Sequence, residues 1–488
     1  MSNFILDNKK KGILTLISAV LMHLLTGNLF SFPNFIPYYK SFLYYHNGNI
    51  EKVSDSQLYF VAPVGIFIHN TLPSVTGFLD NLLGTRILYI IGSISLLISQ
   101  LLIYNFIDYY IIIIAYGLFG ICGSLTYFQT LKNCWKYFPD KKGLISGIVF
   151  SSFGLSSFIF TSLGDFIINP NDEQKGDKGH YSEELSDKFL IYIKVFIICI
   201  ISMGTISCIL CFPYKEESKK ENDIYENNEI IKDVSATDNE NLDNNENNYN
   251  IGMKEDNKKE ENDNLTLKES LLSLDFFLCL TVAGCTLIYG FLLTNTYRNF
   301  GTIKLSKYEK ALKYLSKAFT LLNTFSRLVW GFIFDKIGFK ILYIIVCVNQ
   351  LICAGLIYNS SENIVTYFII VCLGVLSYAG HIILFPNLIH HKFGVDNSVI
   401  ILGICGIFGG ISALIGPILT NIVNEPKDYL MIYLIGGAPT IASLLITCFI
   451  KDEKLQKKKN VQLVEEEDAL MKERETNNYE ETVTKDKE

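Results

Sequence analysis

The chain is written in apolar blocks of about twenty residues. One of them, residues 86–106, reads RILYIIGSISLLISQLLIYNF, with its one charge at the start. A hydrocarbon core about 30 Å thick takes about 20 helical residues to cross. A helix from a soluble core is shorter and keeps a polar stripe. Such blocks therefore predict membrane-spanning helices. Twelve are counted, at 12–38, 56–79, 85–106, 109–132, 143–168 and 189–212, then 271–298, 311–334, 340–358, 363–389, 396–422 and 429–450. We number them spans 1 to 12.

The polar stretches between the blocks set the domain plan: 1–11 as a short terminus, 12–212 and 271–450 as two six-helix sets, 213–270 as a central loop and 451–488 as a tail. The central loop, with runs such as DNENLDNNENNYN, has too little apolar surface to fold alone and is expected to be disordered. It carries 8 basic and 17 acidic side chains, and the tail carries 9 and 12. The whole chain is at −7, so the membrane body is mildly basic, which suits anionic cargo. The 12 cysteines are scattered, mostly inside the apolar blocks, without metal or disulfide spacing, and read as small packing residues.

Lys9, Lys10 and Lys11 precede an apolar stretch without a small-residue cleavage site, so this reads as the first span and not a removed leader. Together with Lys132, Lys136, Lys141 and Lys142 between spans 4 and 5, these lysines place both termini in the cytosol by the positive-inside rule. Plasma and organelle membranes are not distinguished. The basic 7–8 connection, RNFGTIKLSKYEKALKYLSK, runs against the rule; it either lines an outer vestibule or marks a different span count there.

One turn occurs twice. Gly77 and Gly84 flank Asp80 and precede Arg86; Gly331 and Gly338 flank Asp335 and Lys336 and precede Lys340. Both turns join the second and third spans of their six-helix set, which points to internal duplication. The pattern resembles the helix 2–3 signature of the major facilitator superfamily. The second copy fits well. In the first, Asn81 stands at the acid position, Asp80 is one residue early and Leu82 replaces the base. The resemblance implies two pseudo-symmetric six-helix bundles in an all-α multi-pass membrane protein.

Three further stretches, CWKYFPDKKGLISGIVFSSFGLSS (134–157), the Asn323, Arg327, Gly331 series of span 8, and FPNLIHHKFGVDNSVIILGICGIFGGISALIGP (385–417), are similar to the oxalate:formate antiporter and monocarboxylate transporter branch. In that branch a span-8 arginine is implicated in holding the substrate carboxylate, and its place here is Arg327. A guanidinium offers a planar fork that suits a carboxylate. A charge at bilayer depth costs at least about 2.5–3.5 kcal/mol, so it needs a use or a partner. The bland alternatives are snorkelling to the interface and a fixed structural pair. The chain also departs from the branch. Asn34 follows Phe32-Pro33 where monocarboxylate transporters carry lysine, Asn323 stands four before the arginine in place of an acid, and span 11 lacks the antiporter lysine.

The resemblance implies that spans 1, 4, 7 and 10 line a central cavity. Their polar residues are His23, Gln129, Tyr289, Asn295, Tyr297, Tyr378 and His381. The alternative for each histidine is a satisfied core residue, and for each tyrosine ordinary packing. His390, His391 and Lys392, at the end of span 10, are expected to face solvent.

The expected activity is secondary or facilitated transport of small organic anions such as lactate, pyruvate or formate, with a proton as candidate partner ion. The alternatives are an amino-acid or other small-metabolite carrier and a non-transporting sensor or scaffold. No P-loop or convincing hydrolase motif is found, and no enzyme activity, cofactor, metal or nucleic-acid partner is expected.

Overall fold

A computed structural model describes residues 7–46, 53–106, 108–173, 175–176, 179–214, 266–422 and 427–450. Most of the central loop, the tail beyond 450 and the first six residues, for which disorder or exposure was expected, lie outside the described residues. Among the described residues all regular structure is helical.

Span 1 runs Asn8–Gly27, tightens to a 3-10 turn at Asn28–Ser31 and continues as Phe32–His46. It is longer than the expected 12–38. Pro33 falls in the first turn of its second helix, where a missing N–H costs little, and Pro37 is absorbed within it. Span 2 comprises Val61–Thr71 and Pro73–Leu83, broken at Leu72 because Pro73 has no N–H to return to His69. Spans 3 to 6 are Thr85–Asn105, Tyr109–Tyr137, Lys142–Ile168 and Glu183–Leu210. Spans 7 to 9 are Leu274–Lys304, Glu309–Ile337 and Phe339–Ser360. Spans 10 and 11 form one helical trace, Ile364–Ile422, turned at Gly394 (φ 76°). Span 12 is Asp428–Gly437 and Pro439–Phe449.

Nine described stretches are long and apolar enough to cross a membrane, one of them holding both spans 10 and 11. Spans 2 and 8 are not among the nine, because polar residues within them, His69 and Asn70 in one and Asn323 and Arg327 in the other, make them less apolar. With these the count is twelve.

The two copies of the repeated turn share more than sequence. Gly84 and Gly338 both take positive φ, 82° and 90°, and each ends one span and starts the next. Arg86 donates to the carbonyl of Cys211 at 2.7 Å, at the end of span 6. Lys340 donates to the carbonyl of Cys448 at 2.6 Å, at the end of span 12. Each base thus neutralises orphan carbonyls at the last helix of its own set.

The first glycines do the opposite job and join the sets. A Cβ on Gly331 would lie 2.2 Å from the Gly143 carbonyl oxygen, so spans 8 and 5 cross there in backbone contact. Gly77 lies against Ile400, and Gly403 and Gly406 against the backbone of Ser74 and Asn70, so spans 2 and 11 cross likewise.

The acids diverge. Asp335 accepts from the N–H groups of Gly143 and Leu144, both at 2.8 Å, capping span 5 of the other set. Asp80, one residue out of register and so turned about 100° around its helix, stays in its own set. It accepts from Thr85 at 2.7 Å and from Lys132 at 3.2 Å. The contact between sets on that side falls to Asp396, which pairs with Lys136 at 3.0 Å and Lys132 at 3.6 Å.

These contacts seal the face that carries the start of span 1 and the end of span 12. The expected exposure of all three residues at 390–392 is corrected here. His390 is buried and stacks on Trp135, with ring centroids 4.4 Å apart, and Lys392 pairs with Asp275 at 3.2 Å; His391 is exposed. The closed face needs apolar filling between the sets, and His390 and Trp135 supply it.

Candidate functional site

Above the sealed face lies a cavity of about 1430 Å³ between the two sets, with its mouth at the opposite face. The mouth carries Asp165, Asp172 and Glu173 from the 5–6 side and Arg298, Lys310 and Lys317 from the 7–8 side. The basic 7–8 connection therefore lines the vestibule, and the count of twelve spans stands.

Arg327 lies on the cavity wall, about 15 Å along the helix from the end of span 8. Its side chain does not snorkel: the residue is 3% exposed. One terminal nitrogen donates to the Phe150 carbonyl at 2.7 Å and the other to Asn323 Oδ1 at 3.2 Å. Nε has no partner. Among the described residues no carboxylate lies within ion-pair distance of this guanidinium, so its charge is uncompensated. Gly154 leaves the approach clear; a Cβ there would sit 3.6 Å from the guanidinium carbon.

Asn34, Asn295, Asn323, Tyr297, Tyr378 and His381 also line the cavity. Asn34 donates to Thr161 at 3.1 Å near the mouth. Tyr297 stacks on Phe319 with centroids 4.5 Å apart. Tyr378 fills the space left by Gly290. His381 Nε2 is 2.9 Å from Gln350 Oε1, while the Gln350 amide donates to the Thr286 carbonyl. That arrangement makes Nε2 the donor to Gln350 and leaves Nδ1 without a partner.

His23, Gln129 and Tyr289 do not line the cavity. His23 is packed behind Tyr127, Phe150 and Phe153, with Nδ1 against the Ala19 carbonyl. Gln129 donates to Thr76 of span 2. Tyr289 is fully buried toward span 12, near Tyr433.

Sequence reasoning missed the contributions of spans 2, 5 and 11. His69 and Asn70 of span 2 line the cavity, as do Phe150, Phe153, Cys405 and Gly406. His69 has a buried Nδ1 without a partner, held in the gap left by Gly123. The available signal was the Pro73 break just after His69, since a broken helix at bilayer depth tends to border a cavity. Among the described residues no group of three or more His, Cys, Asp and Glu could hold a metal.

Two packed helical sets around a polar-lined cavity, sealed at one membrane face and open at the other, define a solute carrier. The family model of the Major Facilitator Superfamily matches residues 15–417, and the chain belongs to that superfamily of membrane transporters. It is 22% identical over 280 residues to the uncharacterized MFS-type transporter YhjX of Escherichia coli (strain K12). That alignment covers 57% of this chain and 57% of YhjX, so the chain spans little more than half the length of this relative. Among solved structures it is similar to the proton:xylose symporter XylE bound to 6-bromo-6-deoxy-D-glucose, with TM-score 0.61 and 12% identity over 91% of this chain and 97% of XylE. At that identity the likeness concerns the fold alone. These comparisons reach the superfamily and not the oxalate:formate and monocarboxylate branch.

Proposed function

We propose that this chain carries small organic anions across a membrane by alternating access. The observation that carries the proposal is Arg327, a buried cation on the cavity wall with no carboxylate among the described residues to neutralise it. An uncompensated buried charge is costly, and a substrate carboxylate removes that cost while bound. The Phe150 carbonyl and Asn323 hold the guanidinium in place, so little ordering is needed when an anion arrives. With both termini in the cytosol, the cavity faces outward.

The two sets rock against one another, and the Gly331–Gly143 crossing of spans 8 and 5 opens as they do. The sealed face parts where Asp335 and Asp396 now join them. His381 is the candidate carrier of a co-transported proton, because its free Nδ1 can accept one beside a bound anion. The test is counterflow in proteoliposomes with labelled carboxylic acids, with and without a pH gradient. Arg327→Gln should abolish it. Unchanged flux in that variant would end the assignment.

A second reading, an amino-acid carrier, is favoured by the amides Asn34, Asn295 and Asn323 on the same cavity. In that case the α-carboxylate meets Arg327 and the amides meet the amino group. Competition between matched 2-oxo acids and amino acids separates the two.

A further inference from the structure

The surroundings of Arg327 are aromatic. Tyr127, Phe128, Phe150 and Phe153 line one wall of the cavity, and Phe30 extends it toward the mouth. Tyr127 lies 4.8 Å from Phe150, 5.0 Å from Phe153 and 4.9 Å from Phe128 by ring centroids, and Phe153 lies 5.4 Å from Phe30. His69 stacks on Phe153 at 5.6 Å and 26° and adds its flat face. Across the cavity stand Phe291 and Tyr378, 5.8 Å apart.

The wall and the cation belong to one place. Phe150 belongs to the wall with its ring and holds the guanidinium with its carbonyl, at 2.7 Å. Phe153 precedes Gly154, whose missing side chain leaves the guanidinium uncovered. Tyr127 and Tyr378 line the same cavity as Arg327. The acidic residues lining the cavity, Asp165, Asp172 and Glu173, are all at the 5–6 side of the mouth and do not compete for it.

A formate or lactate ion would use the guanidinium and leave the cavity-facing edges of this ring cluster, with the half-buried Phe30 and Phe128 beside it, without a contact from the substrate. A carboxylate on a planar ring would use both. Its charge would meet Arg327, and its ring would gain offset or edge-to-face contacts and shed apolar surface from water. Space is ample, since ligand pockets of about 300–1,000 Å³ already hold drug-sized molecules.

We infer that the substrate is an aromatic monocarboxylate, of the arylacetate or aryl-2-oxo-acid class, with its carboxylate on Arg327 and its ring against Tyr127, Phe128 and Phe153. This rests on the reading of Arg327 as an anion site and sharpens it. Phe153 and Tyr127 then set specificity, and Arg327 sets charge.

The test uses the full chain in proteoliposomes, with phenylpyruvate and phenylacetate compared with pyruvate and acetate as labelled counterflow substrates. The inference expects the aryl acids to compete at least ten-fold better than their alkyl partners. It also expects the aryl-to-alkyl ratio to fall toward one in Phe153→Leu and Tyr127→Leu. Monodispersity on size exclusion checks folding, and the ratio is read within each variant, so reduced expression does not disturb it. Equal or better transport of pyruvate and acetate, still lost in Arg327→Gln, overturns the aromatic inference and leaves the anion site standing. Transport indifferent to Arg327→Gln overturns both.

Discussion

The carboxylate of Asp335 in one six-helix set accepts the backbone N–H of Gly143 in the other at 2.8 Å, with Leu144 on its second oxygen at the same distance. An acid at a helix N-terminus meets orphan donors and the positive end of the helix dipole. Here that local interaction fastens two bodies that must separate under the proposed alternating-access cycle.

Asp335→Asn keeps the shape and removes the charge. A cap of this kind contributes about 1–2 kcal/mol, so the equilibrium between closed and opened forms of this face should shift by roughly five- to thirty-fold. Thiol labelling of a cysteine placed at Leu144 in an otherwise cysteine-free background should become faster. Gly331→Ala should act in the same direction with larger effect, because its Cβ would meet the Gly143 carbonyl oxygen at 2.2 Å. Labelling at the parental rate in both variants would count against the crossing as the seal.

Asp396 is the other fastener, through Lys136 at 3.0 Å and Lys132 at 3.6 Å. Its side chain is 70% exposed, so screening limits each link to about 0.2–1 kcal/mol. Asp396→Lys should loosen the face modestly, and adding Lys136→Asp should recover most of the loss. High salt should erase the difference. Strictly additive effects in this double-mutant cycle would show that the pair carries no coupling.

Arg327→Lys tests the planar fork separately from the charge. Lysine cannot reproduce both the Phe150 and the Asn323 bonds. Anion counterflow should drop at least ten-fold even though a cation is retained, and Arg327→Gln should drop further. A lysine variant with full activity would mean that charge alone suffices.

Gly84 and Gly338 should each tolerate alanine poorly in the same way. Both combine a positive φ with an extended ψ (82° and 151°, 90° and −171°), a region that essentially only glycine takes, and a side chain there costs about 1–3 kcal/mol. At Gly84 no atom lies within 4 Å of the new Cβ, so conformational strain is the whole effect there. Thermal unfolding in detergent should show a lower midpoint for Gly84→Ala. Gly84→Asn should lose about as much, because asparagine's tolerance is for the left-handed helical region and not for a ψ of 151°.

Much of this was legible in the chain. Hydrocarbon thickness forces blocks of about twenty apolar residues, so the spans could be counted before any contact was known. The span 2 block hid its break at Leu72, because Pro73 sits in an otherwise continuous apolar run. The glycine spacing of the repeated turn announced the duplication, and Arg327 stood out as a charge among apolar neighbours. The one-residue displacement of Asp80 was visible too, but not its consequence, the transfer of the fastening role to Asp396.

The sequence by itself determined the number of helices, their pairing into two related sets and the presence of a cation within an apolar span, because each follows from local geometry or from the exclusion of water by lipid. The tertiary structure decided which polar side chains share the cavity. Spans that are apolar on every side carry no stripe to say which face turns inward. His69 and Asn70 therefore came to the cavity unannounced, while His23, Gln129 and Tyr289 turned into the packing between helices.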